Sequence, residues 1–557
     1  MTEQTGTALR RAFLLPLVMV TGATILCLEI LGTRVIGTHY GSSLYVWAAL
    51  LSVTLVCLAI GYAIGGRLAD RFPRGWVLCL ILLAAGLAIL AVPLLTGVLR
   101  PLDAWLGLAW GAIASALVIF FLPLTLLAMS SPFVIRLLAR DVRGVGSVSG
   151  TVYALSTVGS VAGVLFVSLW MIPVLGTRQS VRVCAAALIV VAVLGLLVTR
   201  GRRAAAAVIL LPLPFLVGSA GRTLPGELFR TESPFGVLRV LQRDAPGRGT
   251  YRMLMVNGIM QTGMPLDIDV VGPGDLLESD RYFLELLPYH YPDLASGRKG
   301  VLIGLAGGMF ARVMEFYDVD LTAVEIDVKV AELAKAYFGY RGDIYWPSGE
   351  RHPVDVARFP NRERPRSPHA DFEPEPKPPY RGRAVIQDGR QYLLSHPEKV
   401  GFIVVDAYTS DTIPFHLITR EFFALVRSRL ADGGILAINY IGRPAGDRVT
   451  DSLFRTLNDV FGAERVKAYR TRRERDQVQV ITIFACTRPM TLEPRWVEGD
   501  VSVGVDPLSY ELAQLREETV RPGGIVITDD LNPIDLARAA IAIEWRRQTM
   551  RELDASR

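Results

Sequence analysis

Long apolar runs fill the first 220 residues and constrain the chain more than any other feature of its sequence. Seven runs approach the length that crosses a bilayer, at roughly residues 13–32, 44–66, 76–98, 106–130, 148–172, 181–199 and 204–220. A span needs about 20 apolar residues to cross about 30 Å of hydrocarbon. The first six runs meet that length, whereas the seventh is short and carries two prolines. Residues 1–220 are therefore predicted to form an α-helical polytopic membrane domain of six to seven transmembrane helices.

Arginines in the short connections predict the orientation of these spans. Eleven arginines lie on the side that holds the N-terminus and four lie on the other side. The side richer in Lys and Arg faces the cytoplasm. Six spans return the chain to the cytoplasm at Arg200, whereas a seventh would carry the rest of the chain outside. We expect a multi-pass protein of the inner (cell) membrane, with the lipid bilayer as a partner.

Charged and metal-binding residue types argue against two classes of function. The formal net charge is +6 over 557 residues, and no Lys/Arg block with interleaved aromatic residues is present, so we expect no nucleic acid partner. The five cysteines are scattered singly and the six histidines do not cluster. Neither set has the spacing of a zinc site or of a disulfide framework. No metal is expected.

Residues 221–557 have the pattern of a soluble α/β region. Residues 221–298 show short strands broken by Gly and Pro, which predict a small β-rich lead-in. Residues 299–557 alternate strands with helices, which predicts a Rossmann-like parallel sheet whose ligand lies at the carboxyl ends of the strands. A Pro- and charge-rich insertion at 341–380 is expected to be loop or disorder. It is either a lid over the ligand or a dispensable insertion.

Glycines and acids fall at the ends of successive predicted strands, in the order Gly304, Gly307, Gly308, Glu325, Asp388 and Asp406. The glycines let the backbone approach a ligand closely at a helix N-terminus. Glu325 lies 21 positions after Gly304, where an acid can accept hydrogen bonds from both ribose hydroxyls. Asp388 is placed to accept from an adenine amino group. The alternative is that these acids only cap the helices that follow. The joint order predicts a nucleoside site.

These motifs resemble those of the spermidine synthase (polyamine aminopropyltransferase) family, and the whole chain resembles bacterial membrane proteins fused to such a domain. The matching segments run from about Glu232 to Tyr440 and read ESPFGVLRV, RMLMVNGIMQTG, ESDRYFLELLPY, VLIGLAGG, AVEID, IQDGRQYL and VVDAY. The resemblance implies a fold of the S-adenosylmethionine-dependent transferase type. It also implies nucleoside-binding roles for Gln261, Gly304, Gly307, Gly308, Glu325, Asp388 and Gly389.

The same resemblance implies the co-substrate, which is decarboxylated S-adenosylmethionine or S-adenosylmethionine itself, without a metal. S-adenosyl nucleotides are made in the cytosol. A cytosolic donor requires the soluble half to face the cytoplasm, so we expect that residues 204–220 do not fully span the membrane.

The acceptor half of the resemblance is altered. Gly307 replaces an aspartate of the family's glycine-rich turn, and Phe283 replaces a tyrosine that helps to hold the amine. Thr409 occupies the position at which the family has its general base. The loop DAYTSDTIPFHL still offers Asp406 for positioning and Asp411 for removing a proton from the amine. We expect no histidine to act there. Further candidates for contacting a small amine or polyamine are Glu285, Tyr408, Asp529 and Asp530; the last two can instead cap a helix.

Three functions stay open on the sequence alone. The first is transfer of an aminopropyl or related group from an S-adenosyl donor to an amine. The second is an S-adenosylmethionine-dependent methyltransferase, which Gly307 favours. The third is a non-catalytic nucleoside- or polyamine-binding membrane carrier or sensor, favoured by helices that resemble half of a major-facilitator transporter. A homodimer is a further open alternative.

Overall fold

The computed structural model describes residues 3–40, 44–139, 144–200, 224–245, 249–266, 287, 299–315, 319–361, 382–408, 413–444, 447–470, 478–489, 516–517, 524–530, 541 and 544–545. The chain divides into two compact units. One comprises Met1–Thr223 with Glu232–Gly236, and the other comprises Leu224–Thr231 with Val237–Arg557.

The first unit is helical. Its helices are α1 (Glu3–Tyr40), α2 (Leu44–Arg71), α3 (Gly75–Leu95), α4 (Leu99–Ala128), α5 (Ser130–Leu138), α6 (Val145–Phe166) and α7 (Ile172–Arg200). Within the described residues, six helical segments are long and apolar enough to cross a membrane: Ala12–Gly37, Val46–Arg71, Gly75–Val98, Trp110–Leu138, Val145–Met171 and Val174–Leu197. The first six predicted spans are confirmed as apolar helices of spanning length. The run at 204–220 lies outside the described residues.

Glycines of this helical unit allow close contacts between helices and a sharp turn of the chain. A Cβ added at Gly159 of α6 would lie 2.2 Å from the Met19 carbonyl oxygen of α1, and one added at Gly65 of α2 would lie 2.6 Å from the Met129 Cα. Such small residues allow helix backbones to approach closely in a membrane. Gly176, with a φ of 77°, adopts a left-handed conformation that glycine reaches without penalty. The chain turns there, near the start of the sixth segment.

Two sheets follow the helices along the chain. Their strands are β1 (Glu227–Ser233), β2 (Gly236–Ala245), β3 (Gly249–Val256), β4 (Ile259–Pro265), β5 (Lys299–Ile303), β6 (Asp320–Glu325), β7 (Asp343–Tyr345), β8 (Arg351–His352), β9 (Arg383–Ile386), β10 (Val400–Val405), β11 (Leu430–Gly442), β12 (Val466–Arg470), β13 (Gln479–Cys486) and β14 (Arg516–Glu517). The helices are α8 (Met309–Met314), α9 (Val328–Tyr337), α10 (Gly389–Ser395), α11 (Arg420–Arg429) and α12 (Arg448–Phe461). The first four strands form the small sheet, and the other ten form the large one.

The large sheet has the order β14-β12-β13-β11-β10-β5-β6-β9-β7-β8. The six strands from β11 to β7 run parallel to one another, whereas β13 and β12 pair in antiparallel fashion beyond β11. All six residues of β10 are buried, as expected for a parallel strand covered on both faces. Strand order reverses between β5 and β10, and ligands of such sheets bind at this switch point. The predicted fold class is confirmed.

The insertion at 341–380 is more ordered than its composition predicted. Strand β7 pairs in parallel with β9 and in antiparallel fashion with β8. Ile344 is buried in the sheet core, and this single apolar anchor is too short a signal to show a periodic pattern. The expectation of loop or disorder is therefore wrong for β7 and β8. Residues 362–381 lie outside the described residues, and so does any lid that they would form.

Candidate active site

The glycine-rich turn after β5 is held against the end of β10. Gly304 has a φ of 99°, and an added Cβ would lie 2.3 Å from the Asp406 carbonyl oxygen. The Asp406 amide in turn donates to the Ile303 carbonyl at 2.8 Å. Gly308 has a φ of 75° where α8 begins. Neither conformation is accessible to most other residues, so the glycines are required by the backbone path.

Glu325 closes the same turn from the end of β6. Its Oε2 atom accepts hydrogen bonds from the Leu305 amide at 3.0 Å and the Ala306 amide at 3.4 Å, and Oε1 accepts from the Asp327 amide at 3.1 Å. Burial raises the pKa of Glu325 to about 6, although these amides oppose the shift. A carboxylate has about four acceptor positions, and the three amides fill three of them, so about one position remains for a ribose hydroxyl. Glu325 does not cap α9, because Asp327 does so by accepting from the Lys329 amide.

The small sheet contributes Thr262 to the turn. The Gly307 amide donates to Thr262 Oγ1 at 2.9 Å, and a Cβ at Gly307 would lie 2.7 Å from Thr262 Cγ2. Thr262 therefore fills the space that an aspartate side chain would need at position 307. Gln261 precedes Thr262 on β4 and is half-buried, which places it beside the residue that contacts the turn.

Asp388 follows β9 and has two partners. Its Oδ1 atom accepts from the Gln391 amide at 3.0 Å, which caps α10, and Oδ2 lies 2.7 Å from His416 Nε2. Burial alone raises the pKa of Asp388, but the hydrogen bonds from His416 and Gln391 outweigh it and lower the pKa below its usual value. Gly389 allows α10 to begin close to β5, since an added Cβ would lie 2.3 Å from Ile303 Cγ2. The helix-cap interpretation holds for Asp388, alongside a histidine pairing that the sequence did not predict.

Asp529 belongs to the same cluster. Arg390 of α10 donates to Asp529 Oδ1 at 2.7 Å and to Oδ2 at 2.5 Å, and it also donates to the His416 carbonyl at 3.3 Å. The Arg390 hydrogen bond lowers the pKa of Asp529. An acid already paired with a guanidinium is poorly suited to hold a substrate ammonium. Asp530, its neighbour, is exposed.

Asp406 forms the other end of the site. Asn439 Nδ2 donates to Asp406 Oδ1 at 2.9 Å, and the Tyr408 hydroxyl donates to the Asn439 carbonyl at 2.7 Å. Tyr408 therefore contacts the end of β11. The two remaining candidates, Asp411 and Glu285, lie outside the described residues.

Sequence reasoning missed four residues near these strand ends. Three of them, Thr262, His416 and Asn439, are recognisable only once distant segments meet. The fourth is Ile326, which follows Glu325 and is 45% exposed; its signal was an apolar residue between two acids at a strand end. An exposed apolar surface beside this acid suits the face of a purine ring. No cluster of potential metal ligands occurs among the described residues.

Together, these groups can hold a nucleoside at the switch point and handle a proton next to it. The turn offers backbone at close range, Glu325 offers acceptors, and Ile326 offers an apolar face. Asp406 supplies a carboxylate at the adjacent strand end, where it could accept a proton from a nucleophile.

Comparisons with known proteins give matches over part of the chain. No protein-family model matches it. A probable polyamine aminopropyl transferase of Bifidobacterium longum is 30% identical over 175 residues, which are 31% of this chain and 31% of the relative. A polyamine aminopropyltransferase of Korarchaeum cryptofilum is 25% identical over 254 residues, covering 42% of this chain and 68% of the relative. An N-terminal histidine N-methyltransferase of Emericella nidulans is 27% identical over 151 residues, covering 27% of this chain and 21% of the relative. The match thus covers about a third of the Bifidobacterium relative's length.

Proposed function

We propose that the chain is a spermidine synthase-like transferase that moves an aminopropyl or related group from an S-adenosyl donor to an amine. The observation that carries the proposal is the joining of the turn after β5 to Glu325 by two amide hydrogen bonds, at the switch point of the sheet. The similarity to two polyamine aminopropyltransferases supports it. The donor would be decarboxylated S-adenosylmethionine or S-adenosylmethionine, without a metal.

The proposed chemistry assigns distinct tasks to the two parts of the site. At the nucleoside end, Glu325 would bind the ribose while Ile326 lies against the base. At the other end, an amine would lose a proton to a carboxylate and attack the donor's alkyl carbon. The carbon–sulfur bond would break as the carbon–nitrogen bond forms, and methylthioadenosine would leave. Asp406 is the positioned acid, and Asp411 of the same acidic loop is the base.

The proposed location follows from the S-adenosyl donor. The six apolar helices of the first unit would anchor the protein in the inner membrane as a multi-pass protein. The soluble unit would face the cytoplasm, where S-adenosyl donors are made. A C-terminal reporter that is active only in the periplasm should stay silent. An active reporter would contradict this orientation.

A methyltransferase is the second candidate, and Gly307 is the observation that favours it. Thr262 fills the space next to Gly307, so this turn cannot carry the acid that holds an aminopropyl tail in the family. The match to a histidine N-methyltransferase points the same way.

Turnover of the purified full-length protein separates these candidates. The protein is incubated with decarboxylated S-adenosylmethionine and a panel of diamines, and methylthioadenosine release is measured; the same panel is then run with S-adenosylmethionine. We expect methylthioadenosine from the first donor. S-adenosylhomocysteine from the second donor alone would establish a methyltransferase. If methylthioadenosine binds but neither donor reacts, the protein is a non-catalytic nucleoside-binding carrier or sensor.

A further inference from the structure

A cavity of about 280 Å³ lies apart from the candidate active site, between β1, α9 and a turn of 3-10 helix at Val356–Arg358. The two lining residues from β1 alternate along the strand, so they project from the same face. The three from α9 are three and four positions apart, which places them on one face of the helix. All seven lining residues belong to the unit that contains both sheets. They are Phe229, Thr231, Lys329, Glu332, Leu333, Arg358 and Phe359.

The floor of the cavity is apolar and is fixed by packing within the chain. The ring of Phe229 lies 5.4 Å from the ring of Phe359, and both rings contact Tyr337, at centroid distances of 5.9 and 6.0 Å. The Tyr337 hydroxyl donates to the Pro360 carbonyl at 2.7 Å, which ties the turn that carries Phe359 to α9. Leu333 is 1% exposed. Apolar surface of this kind contributes to affinity when a ligand covers it.

The charged residues of the cavity favour an anion over a cation. The two oxygens of Glu332 are already held by cationic or donor groups, since Oε2 lies 2.5 Å from Arg358 Nη2 and Oε1 lies 2.9 Å from His352 Nε2. A carboxylate engaged in this way is poorly suited to hold a ligand cation. Lys329, whose Nζ atom lies 3.4 Å from Thr231 Oγ1, adds a second positive charge. Two cations and one acid give the lining a net positive charge.

We propose that this cavity binds a small carboxylate that carries an apolar group. Lys329 and Arg358 would hold the carboxylate, and the apolar group would lie on Phe229 and Phe359. A lysine has three N–H donors and an arginine has five, and the ion pair with Glu332 engages one nitrogen of Arg358. The volume is just below the range of about 300–1,000 Å³ that is usual for ligand pockets, so the apolar group is a single ring or a short chain. This site goes beyond the proposed transferase function and does not depend on it.

The test compares two lysines of α9. Lys329→Met removes the charge in the cavity and keeps an unbranched side chain that suits a helix. Lys335→Met makes the same change six positions further along α9, where Lys335 Nζ donates to the Gly342 carbonyl at 2.9 Å. Ligand-observed NMR titration of the full-length protein at pH 7.5 measures affinity for phenylacetate and hexanoate. Phenylacetamide, a neutral isostere of phenylacetate, is the third probe.

Wild type should bind both carboxylates, and phenylacetamide should bind about 10-fold more weakly than phenylacetate. Lys329→Met should weaken carboxylate binding by about 10-fold, which is the effect of losing one hydrogen bond to a charged group. Its affinity for phenylacetamide should not change, and Lys335→Met should bind all three probes as wild type does. Thermal midpoints show whether each variant is folded. Arg358→Gln, at a side chain that is 51% exposed, should weaken carboxylate binding in the same direction and replaces Lys329→Met if that variant does not fold.

Three results would overturn the proposal. The first is that wild type binds neither carboxylate. The second is that the folded cavity variant binds the carboxylates as tightly as wild type does. The third is that Lys335→Met weakens binding as much as Lys329→Met, because the effect would then come from the overall charge of α9.

Discussion

The two parts of the candidate site differ in how completely their polar groups are satisfied. At the nucleoside end, the two oxygens of Glu325 accept three amide hydrogen bonds, and both oxygens of Asp388 are also engaged. At the amine end, Asn439 and Thr482 each hold a buried oxygen that has no partner among the described residues. The hydrogen bonds of the nucleoside end are therefore formed within the chain itself.

This contrast explains why the resemblance is strong at one end and altered at the other. A turn that depends on positive φ values and on a buried acid tolerates few replacements. An acceptor site can be rebuilt from different side chains, provided that a donor of the right charge satisfies them. The predictions below probe each end separately, beginning with the largest expected effect.

Replacing Gly304 with alanine should abolish nucleoside binding. The added Cβ would lie 2.3 Å from the Asp406 carbonyl oxygen, at a φ of 99°, so the turn and the end of β10 cannot both keep their positions. Gly349→Ala is the matched control, because Gly349 has a φ of 83° but nothing within 4 Å of an added Cβ. Calorimetry with methylthioadenosine should show no binding for the first variant and wild-type affinity for the second. Retained affinity in Gly304→Ala would show that the turn does not contact the ligand.

Asp406→Asn tests the amine end. Loss of a positioned acid at the reacting amine should lower turnover by roughly 10²–10⁴ while leaving donor affinity unchanged, because Asp406 lies outside the nucleoside contacts. Turnover is measured as methylthioadenosine release, and donor affinity by calorimetry. Asp411→Asn, tested beside it, shows which acid removes the proton. Unchanged turnover in both variants would exclude this loop from proton transfer.

Gly307→Asp introduces the acid that the resemblance leads one to expect at this position. The structure predicts that this substitution destabilises the protein. The aspartate would collide with Thr262, and overpacking of this kind costs about 1–3 kcal/mol. The double variant Gly307→Asp, Thr262→Gly removes the collision and should recover much of the thermal midpoint. If the single variant is as stable as wild type, the crowding by Thr262 is not the reason for glycine at this position.

Asp529→Asn should have the smallest effect. Asp529 is paired with Arg390 and 40% of its side chain is exposed, and exposed pairs of this kind contribute about 0–1 kcal/mol. The thermal midpoint should fall slightly, and the KM for diamine should not change. A large rise in that KM would restore Asp529 as an amine-holding residue.

Much of the fold could be predicted from the sequence because its signals are local. Six apolar runs give six long helices, and the alternation around Gly304, Glu325 and Asp388 gives the order of strand ends. The pairing of His416 with Asp388 could not be predicted, since 28 positions separate them along the chain. Strand β7 was missed for a related reason: its pairing with β9 outweighs a local composition typical of a loop. The expectation that no histidine acts at the acidic loop stays a prediction, and the structure adds that His416 lies against Asp388.

The pairing of Asn439 with Thr482 is a second contact that could not be predicted from the sequence. Asn439 and Thr482 have nothing unusual as single residues in apolar strands. Their significance comes from antiparallel register, which places one opposite the other, and from burial that leaves both oxygens without partners among the described residues. Neither property can be read from a single segment.

The central claim is that Glu325 binds the ribose of an S-adenosyl nucleoside. The most direct test is the affinity of the protein for methylthioadenosine, measured as a function of pH. Burial raises the pKa of Glu325 to about 6, so wild-type affinity should fall as the pH is lowered from 7.5 through 6, when the carboxyl is protonated and loses acceptor capacity. Unfolding driven by this group cannot cause that fall. A pKa raised above the unfolded value of about 4.3 means that protonation of Glu325 favours the folded state.

Glu325→Gln provides the matched variant for this measurement. Its affinity at pH 7.5 should be about 10²-fold weaker than that of wild type, since hydrogen bonds to a charged acceptor contribute about 1.5–3 kcal/mol each, and it should not change with pH near 6. Calorimetry on the full-length protein at pH 7.5, 6.0 and 5.0 measures both proteins. Equal affinities at pH 7.5, or a pH dependence that persists in Glu325→Gln, would contradict the assignment of Glu325 to the nucleoside.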